Sequence, residues 1–145
     1  MAQICEYTEK HTSYKKRFHN AEFRIRNNLD AISHATCAMA IDVEAKAIVV
    51  CSVSGTTARM VSRFRSPVDI VGMTTDKKVW RKLALSWGVT PMLSETFNSV
   101  DVMFYKAMEC AQKALDLQTG DNVVLTAGPI NGKSGNTNTI KVEQI

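Results

Sequence analysis

At 145 residues the chain is one domain long, and a domain of that length buries roughly 70% of the surface its unfolded chain exposes, so neither disulfides nor a metal is needed for folding. Its composition, 45% hydrophobic and 22% charged, is that of a globular protein, and no apolar run approaches the ~20 residues of a bilayer-spanning helix. The net charge of +4 is local: Lys10, Lys15, Lys16, Arg17, Arg24 and Arg26 crowd the first 26 residues beside His11 and His19, with no aromatic platform or reading helix, so a solvated or subunit-facing segment is expected and nucleic acid and membrane are not expected partners.

In chain order, residues 1–10 read as a helix with Met1, Ile4, Cys5 and Thr8 on one face. Met1 to Tyr7 carry an early acid and no long apolar stretch, so no secretory leader is expected and the cytoplasm is the expected location. Residues 11–27 are polar and basic, without clear period, and read as a connector. Asn28 is placed to cap a second helix running to about Val43, with Leu29, Ile32, Ala35, Met39, Ala40 and Val43 at helical spacing. The pattern then changes to Ala47-Ile48-Val49-Val50-Cys51, a continuous apolar run that suits a parallel strand buried on both faces. A helix over 56–64, a strand over 68–73, a helix over 76–87 closed by Gly88, and a strand over 89–93 follow. A long helix over 98–117, with Val102, Tyr105, Met108, Ala111, Gln112 and Leu115 near one stripe, leads to a strand over 122–127. The last segment, 139–145, alternates Ile140 and Val142 against Lys141 and Glu143, which is a half-exposed strand.

This alternation is an α/β pattern. Right-handed crossovers make the first three strands grow outward, and the long helix returns the chain beside strand one. The expectation is a three-layer α/β/α sandwich with a five-stranded mixed sheet of order 3-2-1-4-5. Strand five is antiparallel, because the preceding loop is too short for a crossover helix. Strands one and four then flank the topological switch point, beyond whose carboxyl ends open α/β sheets bind ligands.

Two loops meet there. The first, residues 52–57, holds Ser52, Ser54, Thr56 and Thr57 with Gly55, and opens directly into a helix whose first N–H groups are free. That is a phosphate cradle or, read more plainly, capping chemistry. The second, residues 128–136, holds three glycines, including Gly135, with Lys133 and Ser134, and is either an anion-friendly flap or a plain hairpin turn. Arg59 is the arginine nearest the first loop. No catalytic pair or metal spacing stands out: His34 lacks a nucleophile beside it, Asp30, Asp42 and Glu44 read as solvated charges, and Trp80 and Trp87 read as packing residues of one helix. Cys5, Cys37, Cys51 and Cys110 have no C-x-x-C spacing and read as free thiols in or near the core.

At these loops the sequence resembles the C-terminal domain of pyruvate kinases. The resemblance is carried by Ala47-Ile48-Val49-Val50-Cys51-Ser52-Val53-Ser54-Gly55-Thr56-Thr57-Ala58-Arg59, by Val61-Ser62-Arg63-Phe64-Arg65, and by Leu85-Ser86-Trp87-Gly88-Val89-Thr90-Pro91. Gly120-Asp121-Asn122-Val123-Val124 and Gly135-Asn136-Thr137-Asn138-Thr139-Ile140-Lys141-Val142 complete it, in the family's order. The resemblance implies that residues 1–27 are a helix and connector following a missing catalytic barrel, that Met1 is internal to a longer parent, and that residues 28–145 are the regulatory domain. It implies a parent that transfers phosphate from phosphoenolpyruvate to ADP in glycolysis with Mg²⁺ and K⁺ in the barrel, and no turnover by this chain alone.

The resemblance also implies a role in allosteric regulation and assembly. A phosphorylated effector is held by Ser52, Ser54, Gly55, Thr56, Thr57, Lys133, Ser134 and Gly135, with Arg59 as a further contact, and subunits meet through the C-terminal edge strand. The bisphosphate-regulated animal pattern has an arginine after the Val-Asp of the long helix and a tryptophan before it. Here Val100-Asp101-Val102 leads to Met103, and Phe97-Asn98-Ser99 precedes it. A second phosphate would lose its charge-assisted clamp, so a sugar monophosphate or AMP is favoured over fructose 1,6-bisphosphate. The alternatives are a free-standing phosphate- or nucleotide-binding module without catalytic activity, and a small enzyme using the same cleft.

Overall fold

The computed structural model describes residues 1–130 and 135–145. Helices α1 (Ala2–His11), α2 (Tyr14–Asn20) and α3 (Asn28–Asp42) precede an alternating run. The run is β1 (Ala47–Cys51), α4 (Thr56–Arg63), β2 (Asp69–Thr74), α5 (Lys77–Leu83), β3 (Val89–Leu93), α6 (Val100–Leu115) and β4 (Asn122–Ala127), and β5 (Thr139–Gln144) closes it. The sheet order is β3-β2-β1-β4-β5, with β1 parallel to β2 and β4, β2 parallel to β3, and β5 antiparallel to β4. This is the expected mixed sheet in a three-layer sandwich. Among the described residues, no helix is long and apolar enough to cross a membrane.

Handedness explains the layers. The β1-α4-β2-α5-β3 crossovers all advance one way and put α4 and α5 on one face, joined by α3. The β3-α6-β4 connection runs back past β2 and β1, so the same handedness puts α6 on the other face. Alternate residues of the central strands serve the two cores. Ile48, Val50, Ile70 and Val124 pack with Cys37, Ala40, Val61, Phe64 and Leu83 of the first layer. Val49, Val71, Val123 and Leu125 pack with Met103, Phe104, Ala107 and Ala111 of α6.

Several local expectations change. The connector contains α2, capped by Ser13, whose Oγ accepts the Lys16 N–H at 3.4 Å. Its polar sequence hides a helix that buries one residue, Phe18. Phe18 stacks on His34 at 5.2 Å, and Phe23 and Phe64 stand edge-on to the same imidazole, so His34 is a packing residue of α3. The cap of α3 is Asn27, whose side chain accepts the Asp30 N–H at 2.8 Å, and not Asn28. The buried positions of α3 are Asp30, Ser33, Thr36, Cys37, Ala40 and Ile41, while Ala35 is exposed. Asp30 is not solvated: it is 3% exposed, accepts the Arg26 N–H at 3.1 Å and lies 3.5 Å from the Arg63 guanidinium.

The stripe of α6 is also rotated. Met103, Phe104, Ala107 and Ala111 face the sheet, leaving Val102 and Tyr105 exposed. Helix α5 ends at Leu83, so Trp80 and Trp87 are not on one helix. Trp87 stands in the following turn, between Tyr14 and the Arg65 guanidinium, and donates to Glu9 at 3.1 Å. Cys37 and Cys51 are core thiols and Cys110 is partly covered, but Cys5 is exposed on α1, which buries none of its residues.

Two predictions follow from the packing. Phe18→Ala removes an aromatic from the α3–α4 core and is expected to cost about 3–5 kcal/mol in urea unfolding. A loss below ~1 kcal/mol would show that residues 14–20 are only laid on the surface. Burial pushes the Cys37 and Cys51 thiols up from 9.0 to about 12, with Cys110 adding to the rise at Cys51. Each thiol keeps its proton longer folded than unfolded, so its contribution is complete below pH 9 and is lost as pH rises towards 12. Urea midpoints across that window are expected to fall less steeply for Cys37→Ala than for the parent chain; parallel slopes would assign the alkaline loss to other groups.

Candidate functional site

Strand β1 delivers the first loop and β4 the second, side by side, because Cys51 and Ala127 are register partners at their carboxyl ends. After β1 the backbone turns at Gly55, the N-cap of α4, with φ 71°. An added Cβ there would stand 2.7 Å from Val79 Cγ1, so α5 closes off the space as well as the dihedral. Thr56 and Thr57 form the first turn of α4, and Arg59 N–H donates to Gly55 carbonyl at 3.1 Å.

The hydroxyls form two groups. Ser54 Oγ lies 3.0 Å from Thr56 Oγ1 and accepts the Thr56 N–H at 3.4 Å. Arg59 Nη2 donates to Thr56 Oγ1 at 3.5 Å, a long contact. Thr57 Oγ1 meets Thr137 Oγ1 at 2.6 Å, joining the two loops across 80 residues of sequence. The second loop is pinched at its neck: Asn138 N–H donates to Ala127 carbonyl at 3.1 Å, and a Cβ on Gly128 would stand 2.9 Å from Asn136 carbonyl oxygen.

Between the loops lies a cleft of about 370 Å³. Of the residues singled out in the sequence, Ser52, Ser54, Thr57 and Gly135 line it. Gly55 lies behind the turn, Thr56 is occupied by Ser54 and Arg59, and Arg59 is exposed on α4 outside the lining. Lys133 and Ser134 lie outside the described residues.

The other half of the cleft is formed by residues that the loop motifs do not signal. Thr74 ends β2 and Thr75 follows it, Ser94 follows β3, and Phe97, Asn98 and Met103 approach from the start of α6. Strand order is the signal that finds them, since every parallel strand ends on this rim. Thr74 Oγ1 is committed to Val53 carbonyl at 2.9 Å.

The described lining contains no charged side chain. Asp76, just beyond Thr75, accepts the Lys78 and Val79 N–H groups at 2.6 and 3.0 Å as the cap of α5, and those bonds hold its carboxyl below the usual range. The arrangement suits an anion with oxygen acceptors: hydroxyl donors and the start of a helix on one side, neutral and apolar walls on the other. Among the described residues no three or more His, Cys, Asp or Glu come together as a metal-ligand group.

A sequence profile described as Pyruvate kinase, alpha/beta domain matches residues 30–143. The chain is 38% identical over its whole length to a pyruvate kinase of Clostridium acetobutylicum, of which it covers 31%. It is 37% identical over its whole length to pyruvate kinase 2 of Synechocystis, covering 24%, and 34% identical over 97% of its length to a pyruvate kinase of Lactobacillus delbrueckii subsp. bulgaricus, covering 23%. It therefore spans about a quarter to a third of these curated relatives. Profile, identity and strand order agree: the chain belongs to the pyruvate kinase alpha/beta domain family.

Proposed function

We propose that this chain is a regulatory and oligomerisation domain of a cytoplasmic pyruvate kinase, binding a phosphorylated effector where the 52–57 and 128–135 loops meet. The observation that carries the reading is the pairing of Thr57 with Thr137 at 2.6 Å in the wall of a cleft at the switch point, in a chain of this family. Phosphate is the group that uses such a place: it accepts from several hydroxyl and backbone donors at once and is favoured by a helix N-terminus. Lys133 supplies a cation in the second loop by sequence. Phe97 and Met103 put no charge on the opposite wall, so a monophosphate carried on a sugar or nucleoside fits better than a bisphosphate.

On this reading the parent reaction, phosphoenolpyruvate and ADP to pyruvate and ATP, with Mg²⁺ and K⁺, belongs to the remaining length of the relatives. Residues 1–27 join the domain to that part, and no residue here takes a catalytic role. A free-standing phosphate-binding module is the second reading. It is favoured by Phe18, which ties that joining segment into the domain's own core. A barrel in the same reading frame would decide for the first.

Calorimetric titration with fructose 1,6-bisphosphate, glucose 6-phosphate, ribose 5-phosphate and AMP is expected to show saturable binding of a monophosphate, weakened at least tenfold by Ser54→Ala or Lys133→Ala, since each removes a charge-assisted contact. The same preparation is expected to transfer no phosphate from phosphoenolpyruvate to ADP. Absence of binding by all four ligands would sink the effector role. Strand β5 leaves one backbone edge free of a sheet partner in the described sheet, and that edge is the proposed subunit contact. Sedimentation is expected to show a concentration-dependent dimer that Val142→Pro abolishes; a monomer at all concentrations would refute it.

A further inference from the structure

Two hydroxyls carry two protons, and one contact between them uses one. Thr57 is 1% exposed and Thr137 8%, and among the described residues neither hydroxyl has another hydrogen-bond partner. One proton is therefore left over in a nearly closed place, on a pair whose members both line the cleft. A buried donor without an acceptor is unfavourable, and an oxygen acceptor entering the cleft removes that penalty, whereas a cation or a donor-only group does not.

The two residues differ in what holds them. Thr57 lies in the first turn of α4, beside N–H groups that have no partner within the helix. Thr137 lies in the neck of the second loop, held by the Asn138 to Ala127 bond on one side and flanked on the other by Asn136, whose carbonyl oxygen comes so near Gly128 that an added Cβ would stand 2.9 Å from it. We propose that Thr137 is a positioning residue: it donates to Thr57 and so turns the Thr57 proton into the cleft, towards an anionic oxygen of a phosphate group. The order Thr137 to Thr57 to ligand oxygen polarises each hydroxyl in turn, with the charge at the end of the chain strengthening both bonds. The inference rests on the effector reading above, and it makes the second loop part of the binding chemistry without requiring Thr137 to touch the ligand.

The test is a double-mutant cycle read by calorimetry, with inorganic phosphate and glucose 6-phosphate as probes and circular dichroism confirming that each variant is folded at the titration temperature. Thr137→Val is expected to weaken binding by roughly tenfold, the scale of one hydrogen bond to a charged group, and Thr137→Ser to stay within about twofold of the parent chain. In a Thr57→Val background, Thr137→Val is expected to cause no further loss, because its effect passes through Thr57. The paired Thr57→Val/Thr137→Val chain also removes the orphaned hydroxyl, so the cycle survives if the single valine variant folds poorly. Unchanged affinity in Thr137→Val, or losses that simply add, would overturn the positioning role while leaving the effector site in place. No binding of either probe by the parent chain would overturn the effector reading and this inference with it.

Discussion

Strand β1 is buried along all five residues and runs parallel to both neighbours. A strand in that position has no polar face, so its sequence is uniformly apolar, and its neighbours can be reached only by crossovers on the two sides of the sheet. Because chain growth reverses at β1, the loop leaving its carboxyl end turns towards α4 and β2, while the loop leaving the carboxyl end of β4 beside it turns the other way, to β5. The gap opened by that reversal is the cleft. Hydroxyl side chains line that gap, and the left-handed Gly55 turns the chain into α4 beside it.

Legibility in the sequence followed the strength of each signal. Ala47 to Cys51 and Asn122 to Ala127 are unambiguous because continuous apolar runs bounded by turn residues have few other solutions, and the sheet order then follows from handedness. Helix faces were harder. Val102 and Tyr105 look apolar enough to be core, yet α6 turns Met103 and Phe104 to the sheet, because Ala107 and Ala111 on that side permit close approach. Helix α2 was invisible because one buried phenylalanine in seven residues has no period to detect. Asp30 escaped because its partner is Arg63, distant in sequence, and a backbone N–H. Within the site, the two loops stood out by composition, whereas Thr74, Ser94 and Phe97 became visible only once the strands lay side by side.

Recognition by hydroxyls and backbone differs physically from recognition by guanidinium groups. An arginine clamp is strong, planar and selective for a second fixed anion. The described lining here is neutral, with Met103 and Phe97 among its apolar residues. Neutral donors discriminate by shape and acceptor count, and they leave no uncompensated buried charge when the cleft is empty. On the proposed reading, Lys133 adds a cation to these neutral donors by sequence, and the neutral part of the lining suits a site filled and emptied as effector concentration changes.

The same pairing geometry links the proposed site to the proposed interface. Thr137 stands two residues before β5, and Thr126 Oγ1 donates to Thr139 carbonyl at 3.0 Å where β5 begins. A ligand that fixes the Thr57–Thr137 pair therefore also restrains the first residues of the strand whose outer edge is unpaired in the described sheet. Ordering there lowers the entropy that a subunit contact must still remove, so binding at the cleft and association at the edge would favour each other without any large displacement. Reciprocity follows: whatever factor the effector adds to association, association must add to effector affinity.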